Sequence, residues 1–375
     1  MKSQNPLVRG VATAGLAISP LLAEPALAQN PPMSQTQAAK VGEFDADMAQ
    51  VLKKLMDLGA KPLSTLTVEQ ARSQPTPADA VNALLKDQGK DPAKLMAAMN
   101  VAKTDKTYPT AGGSQPVRLY TPQGATGPLP VILYIHGGGW VIANIDVYEA
   151  SAMAIAKKTN AIVASIEYRH APESKFPAAH DDANAAYQWI LENAAAWNGD
   201  AKRIALVGES AGGNLAINVA IAARDRKMAM PAYIVAIYPV AGVDTDTPSY
   251  RANAKASPLG KADMEWFFDK VLAKPDDKQD PRLDLVGKAM LEGLPPTLVI
   301  TAELDPLMSE GRTIADRLKQ AGVQTKYQNY VGVTHEFFGM GAVVEKASAA
   351  EDLTASELKA AFAGKSPATG NRASR

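Results

Sequence analysis

Two apolar rhythms divide this chain. Up to about residue 100, apolar positions recur at helical spacing. Met48, Val51, Leu52, Leu55 and Leu58 line one face of residues 44–59, with Gly59 as a stop. Thr67 is a candidate N-cap for a second short helix, and residues 78–100 carry a third, weaker helical pattern. Then strands take over. Thr104–Tyr108 and Pro116–Tyr120 flank Ala111-Gly112-Gly113 and predict an antiparallel hairpin. From Leu129 onward, apolar runs stand at Val131–Ile135, Ala161–Tyr168, Arg203–Val207, Tyr233–Tyr238 and Thr297–Ala302, followed by an alternating run at Gln324–Tyr330. Helical stretches such as Ala178–Ala195 and Ala211–Lys227 separate them. Solid apolar strands alternating with helices predict an α/β fold, with a mostly parallel central sheet covered by helices on both faces. The helical block before the first strand reads as an accessory element.

The expected layout is a helical region at 41–102 and a larger α/β domain at 103–363, interrupted by a helical insertion at 244–294. A final helix is expected over Lys346–Ala363 and a disordered tail at 364–375. At the other end, Lys2 and Arg9 precede the apolar stretch Gly10 to Leu22, and Ala26-Leu27-Ala28 supplies a small-x-small cleavage pattern. Residues 1–28 therefore read as a secretory signal peptide and 29–40 as a linker, which predicts a secreted or periplasmic protein. The competing reading is an Ala-rich extension of a cytosolic chain. No later stretch reaches the roughly 20 apolar residues of a membrane span.

Charge and composition narrow the chemistry. The 375 residues balance at net charge +0, with Lys and Arg scattered, so no field draws nucleic acid. There is no cysteine, which excludes disulfides, thiol nucleophiles and thiolate metal sites. Only four histidines exist, His136, His170, His180 and His335, and this scarcity weakens a zinc reading.

Gly208-Glu209-Ser210-Ala211-Gly212 fits G-x-S-x-G, directly after one predicted strand and directly before a helix. That turn lifts a serine hydroxyl above the sheet and leaves the Ala211 amide at a helix start, where negative charge is favoured. His136-Gly137-Gly138-Gly139-Trp140 ends another strand. Three glycines are costly to order, and they make sense where backbone N–H groups must face a developing oxyanion. Two of Gly137, Gly138 and Gly139, with Ala211, are the expected donors, Gly138 and Gly139 being favoured. Serine needs a base, and His335 is the only histidine after Ser210. The acid should lie between them at a strand end, which points to Asp305, with Glu303 as the nearest rival. His136 reads as an anchor of its loop. Trp140, Trp266, Phe267 and Phe268 are candidates for an acyl pocket and equally for the core.

Taken together, His136-Gly137-Gly138-Gly139-Trp140 and Gly208-Glu209-Ser210-Ala211-Gly212-Gly213-Asn214-Leu215 resemble the motifs of the hormone-sensitive lipase group of bacterial carboxylesterases. The segments Glu167-Tyr168-Arg169, Ala171-Pro172-Glu173 and Phe176-Pro177-Ala178-Ala179, with Asp305-Pro306-Leu307 and His335-Glu336-Phe337-Phe338-Gly339, extend the likeness over about 44–345. The resemblance implies the α/β-hydrolase fold, a helical cap over the active site supplied by the N-terminal region 41–102, and hydrolysis of short- to medium-chain acyl esters. It also implies no metal or cofactor, and a homodimer through an edge strand. Amidase or deacetylase chemistry with the same triad is the nearest alternative. A non-catalytic small-molecule receptor, like the plant gibberellin receptors that resemble this family, is disfavoured because His335 is present. Three departures stand out: Glu209 where Asp is usual, His170 where Leu is usual, and Met308-Ser309 where Arg-Asp is usual.

Overall fold

The computed structural model describes residues 43–364. The expected signal peptide, the linker and, apart from Gly364, the tail lie outside the described residues. The first helix, α1 (Ala46–Asp57), buries Met48, Val51, Leu52 and Leu55 on one face, as its spacing predicts. Each such side chain contributes roughly 1.5–3 kcal/mol of gross burial energy. Thr67 caps α2 (Val68–Ser73) by accepting a hydrogen bond from the Gln70 amide, with the Gln70 side chain returning to the Thr67 amide. The single helix expected over 78–100 is two, α3 (Pro77–Asp87) and α4 (Pro92–Ala98). Gly89 takes a left-handed φ of 72°, and the Asp91 carboxylate caps a new helix opened by Pro92.

Eight strands follow: β1 (Val101–Thr110), β2 (Gly113–Pro122), β3 (Leu129–Ile135), β4 (Ile162–Ile166), β5 (Gly199–Glu209), β6 (Ile234–Ile237), β7 (Thr297–Leu304) and β8 (Thr325–Thr334). They form one sheet in the order β1-β2-β4-β3-β5-β6-β7-β8, in which β2 alone runs against the rest. Most strands run longer than the apolar runs that predict them, because ladder hydrogen bonds continue past the buried residues. Both faces are covered. Ile204 and Leu206 of β5 enter one apolar cluster, and Ala205 and Val207 the other.

The covering helices are α5 (Glu149–Thr159), α6 (Ala178–Asn193), α7 (Ala211–Asp225), α8 (Pro248–Ala252), α9 (Lys261–Val271), α10 (Leu285–Lys288), α11 (Met308–Gln320) and α12 (Glu345–Phe362). α8 to α10 fall within 244–294, between β6 and β7. No helix among the described residues is long and apolar enough to cross a membrane.

Strand register brings distant residues together at one sheet end. Ile135 of β3 pairs with Gly208 of β5 and with Ile166 of β4, and Leu304 of β7 pairs with Thr334 of β8. The residues just beyond those pairs are His136, Ser210, Glu167, Asp305 and His335. In open α/β sheets, the carboxyl ends of parallel strands are where chemistry collects.

Candidate active site

Ser210 sits between β5 and α7 with φ 55° and ψ −117°, a conformation that costs a non-glycine residue roughly 1–3 kcal/mol. Surrounding contacts hold it there: its amide donates to the Ile237 carbonyl, and its carbonyl accepts from Val240. The flanking glycines are required by space. A Cβ on Gly208 would fall 2.1 Å from the Gly212 carbonyl oxygen, and one on Gly212 would fall 2.0 Å from the Ile135 carbonyl oxygen.

The Ser210 hydroxyl lies 2.9 Å from Nε2 of His335, and Nδ1 of His335 lies 2.7 Å from Oδ2 of Asp305. Asp305 is acceptor-only, so the ring hydrogen stands on Nδ1 and the Nε2 lone pair faces the serine. The other Asp305 oxygen accepts from the Leu307 amide at 2.8 Å, and the carboxylate is fully buried. Glu303, the rival acid, is occupied elsewhere, accepting from the Gly332 amide. Burial disfavours charge on His335, but the Asp305 carboxylate, followed by Glu336 and Glu209, outweighs it and raises the imidazole pKa.

The glycine loop packs over this group. Gly138 and Gly139 adopt φ of 88° and 56°, and a Cβ on Gly139 would fall 2.3 Å from the Phe267 ring. Both glycines border a cavity of about 470 Å³ that also reaches Ser210 and His335. Gly137 is not among its lining residues, and its carbonyl accepts from Tyr168 and from Nδ1 of His136. Ala211 is buried as the first residue of α7. The cavity roof comes from the N-terminal helices, including Leu55, Met56 and Leu63, and its wall from Met264 and Phe267. Of the four aromatic candidates, Phe267 reaches this cavity. Trp140 and Phe268 are core residues, and half-buried Trp266 donates its indole N–H to the Leu66 carbonyl.

Sequence reasoning missed the ring of groups behind His335. Glu209 is buried and accepts from Tyr134 at 2.5 Å and from Tyr238, whose ring lies 4.5 Å from that of His335. Tyr148 donates to both carboxylate oxygens of Glu336, one of which is 3.7 Å from Nε2 of His335. Burial and then the charge of Glu336 push the Glu209 carboxyl up to about 7. The one available signal was Glu209 itself, a departure beside the nucleophile; the tyrosines come from separate strands and loops. His180 has no part in this group, being buried against Asn214.

The profile of a family described as an alpha/beta hydrolase fold matches residues 132–339. The chain belongs to the α/β-hydrolase fold family. Within it, this hydrolase falls in the hormone-sensitive-lipase-like group. It is 34% identical over 289 residues to an ethyl acetate hydrolase of Pseudomonas putida, covering 76% of this chain and 88% of that one. It is 38% identical over 251 residues to the carboxylesterase NlhH of Mycobacterium tuberculosis, covering 66% and 78%. A solved hyperthermophilic esterase of Pyrobaculum calidifontis superposes with a TM-score of 0.74 at 31% identity, covering 85% of this hydrolase and 98% of the esterase.

Proposed function

We propose that this chain hydrolyses short- to medium-chain acyl esters through a covalent acyl-enzyme on Ser210. Ester hydrolysis is the chemistry common to its relatives, and the chain is a carboxylic ester hydrolase. The finer reading is carried by one observation: the Asp305–His335–Ser210 hydrogen-bond chain opens onto the 470 Å³ cavity beside Gly138 and Gly139. His335 takes the Ser210 proton as the oxygen attacks the ester carbonyl. The oxyanion rests on the amides of Gly138, Gly139 and Ala211. Collapse expels the alcohol with the proton from His335, and water repeats the sequence to release the acid. Asp305 holds the tautomer and supports the imidazolium.

Acyl preference follows from the cavity, since each additional buried CH₂ contributes roughly 0.8 kcal/mol until the wall is met. Hydrolysis of p-nitrophenyl esters from acetate to palmitate is expected to peak at short to medium chains. A maximum at palmitate would overturn the size argument; cleavage of anilides but of no ester would move the reading to an amidase. Export by residues 1–28 and pairing through an edge strand extend the proposal. They are checked by a secreted chain whose mass begins near Gln29 and by sedimentation at micromolar concentration, where a monomer would remove the dimer.

A further inference from the structure

His136 ends β3 and Glu167 follows β4, and because Ile135 pairs with Ile166 the two side chains meet. Three residues on, His170 folds back onto the same carboxylate. Nε2 of His136 is 3.3 Å and Nε2 of His170 is 3.2 Å from the same oxygen, Oε1 of Glu167. All three ligand atoms lie within 4.8 Å of one another. Tyr168 packs on both rings, at 4.5 and 5.1 Å.

Hydrogen bonding leaves one nitrogen of this cluster without a partner among the described residues. Nδ1 of His136 lies 2.9 Å from the Gly137 carbonyl oxygen, which can only accept, so the hydrogen of that ring stands on Nδ1. The other ring nitrogen, Nε2, faces Oε1 of Glu167, whose second oxygen accepts from the Ile145 amide. Nε2 of His170 is buried and makes no hydrogen bond. A cation placed between the three groups gives that nitrogen a partner. A histidine whose Nδ1–H is fixed by a backbone carbonyl, leaving Nε2 free, is the arrangement that metal-binding imidazoles adopt. Tetrahedral bonds of about 2.0–2.1 Å place donor atoms roughly 3.3–3.4 Å apart, which matches both separations.

We propose that His136, Glu167 and His170 form a binding site for a divalent transition metal of the zinc class, with a fourth position open to water. This site lies apart from the Ser210 cavity and does not depend on the ester reading. Glu167 and His170 keep side-chain exposures of 19% and 17%, which leaves a way in. Arg72, a cation close enough to act on His170, is paired with both oxygens of Glu173. Because His136 opens the glycine loop and Tyr168 already holds the carbonyls of residues 136 and 137, a bound ion would tie that loop to the end of β4.

The test is calorimetric titration of chelator-stripped mature protein with Zn²⁺, repeated with Co²⁺ while following its visible absorption. One ion per chain is expected, with a four-coordinate Co²⁺ spectrum and a raised melting temperature. His170→Leu and Glu167→Gln should each weaken binding by more than about tenfold. Circular dichroism of the metal-free variants separates loss of ligand from loss of fold, and His170→Gln serves if the leucine variant unfolds. Absence of stoichiometric binding to the parent protein would overturn the site. So would binding of unchanged strength in folded variants, which would place the ion elsewhere, for example at His335 and Glu336.

Discussion

Replacing Ser210 by alanine is expected to lower kcat on a short p-nitrophenyl ester by about 10⁴–10⁶-fold. The change removes the hydroxyl hydrogen-bonded to Nε2 of His335 and leaves the cavity, the glycine loop and the histidine in place. Residual rate would come from substrate binding and oxyanion stabilisation alone. KM should move little, because the hydroxyl contributes through the bond it forms and not through ground-state binding. Alanine takes up the same φ of 55° at the same cost, so the melting temperature should stay close to that of the parent. A variant retaining activity within tenfold would exclude Ser210 as the nucleophile.

Asp305→Asn is expected to cost about 10⁴-fold in kcat, and here the reason lies in hydrogen-bond direction. One Asp305 oxygen accepts from the Leu307 amide, and the other from Nδ1–H of His335. An asparagine that keeps its oxygen on Leu307 turns an NH₂ toward His335. Nδ1 must then accept, the ring hydrogen moves to Nε2, and the nitrogen that should take the serine proton is already protonated. The acid limb should shift as well. As the proposed base, His335 works deprotonated, so activity is expected to fall as pH drops through its pKa. The Asp305 charge is the main force raising that pKa against burial. Removing it should move the limb of kcat/KM to lower pH, although Glu336 and Glu209 still face the ring. A kcat/KM profile with the limb unmoved would show that another group holds the histidine.

Part of the fold and the site was legible because it is local. Ser210 stands on a strand–turn–helix joint whose steric demands fall within Gly208–Gly212, so the motif and its context are contiguous in the chain. His335 could be reached by elimination, as the one histidine after Ser210. The helical face of residues 44–59 and the apolar strands were visible as periods of about 3.6 and as solid runs, because burial of one face or of both writes itself directly into residue type. The break between α3 and α4 was also local, written in Gly89 and Pro92, yet a weak apolar period running through it masked it.

Tertiary structure decided the rest, since it depends on which strands become neighbours and in what register. Sequence alone treated His136 as an anchor and His170 as a departure, and set metal aside because histidines are few. Only the pairing of Ile135 with Ile166 brings His136 against Glu167 and His170. Likewise Tyr134, Tyr148 and Tyr238 converge on Glu209 and Glu336 from separate strands and loops. Which glycines border the Ser210 cavity, and how large that cavity is, follow from the packing of Phe267 and the N-terminal helices against the loop. Residue types and local spacing determined the elements and the candidate reacting groups. Register across the sheet and packing over it, properties of residue pairs far apart in the chain, determined what surrounds them.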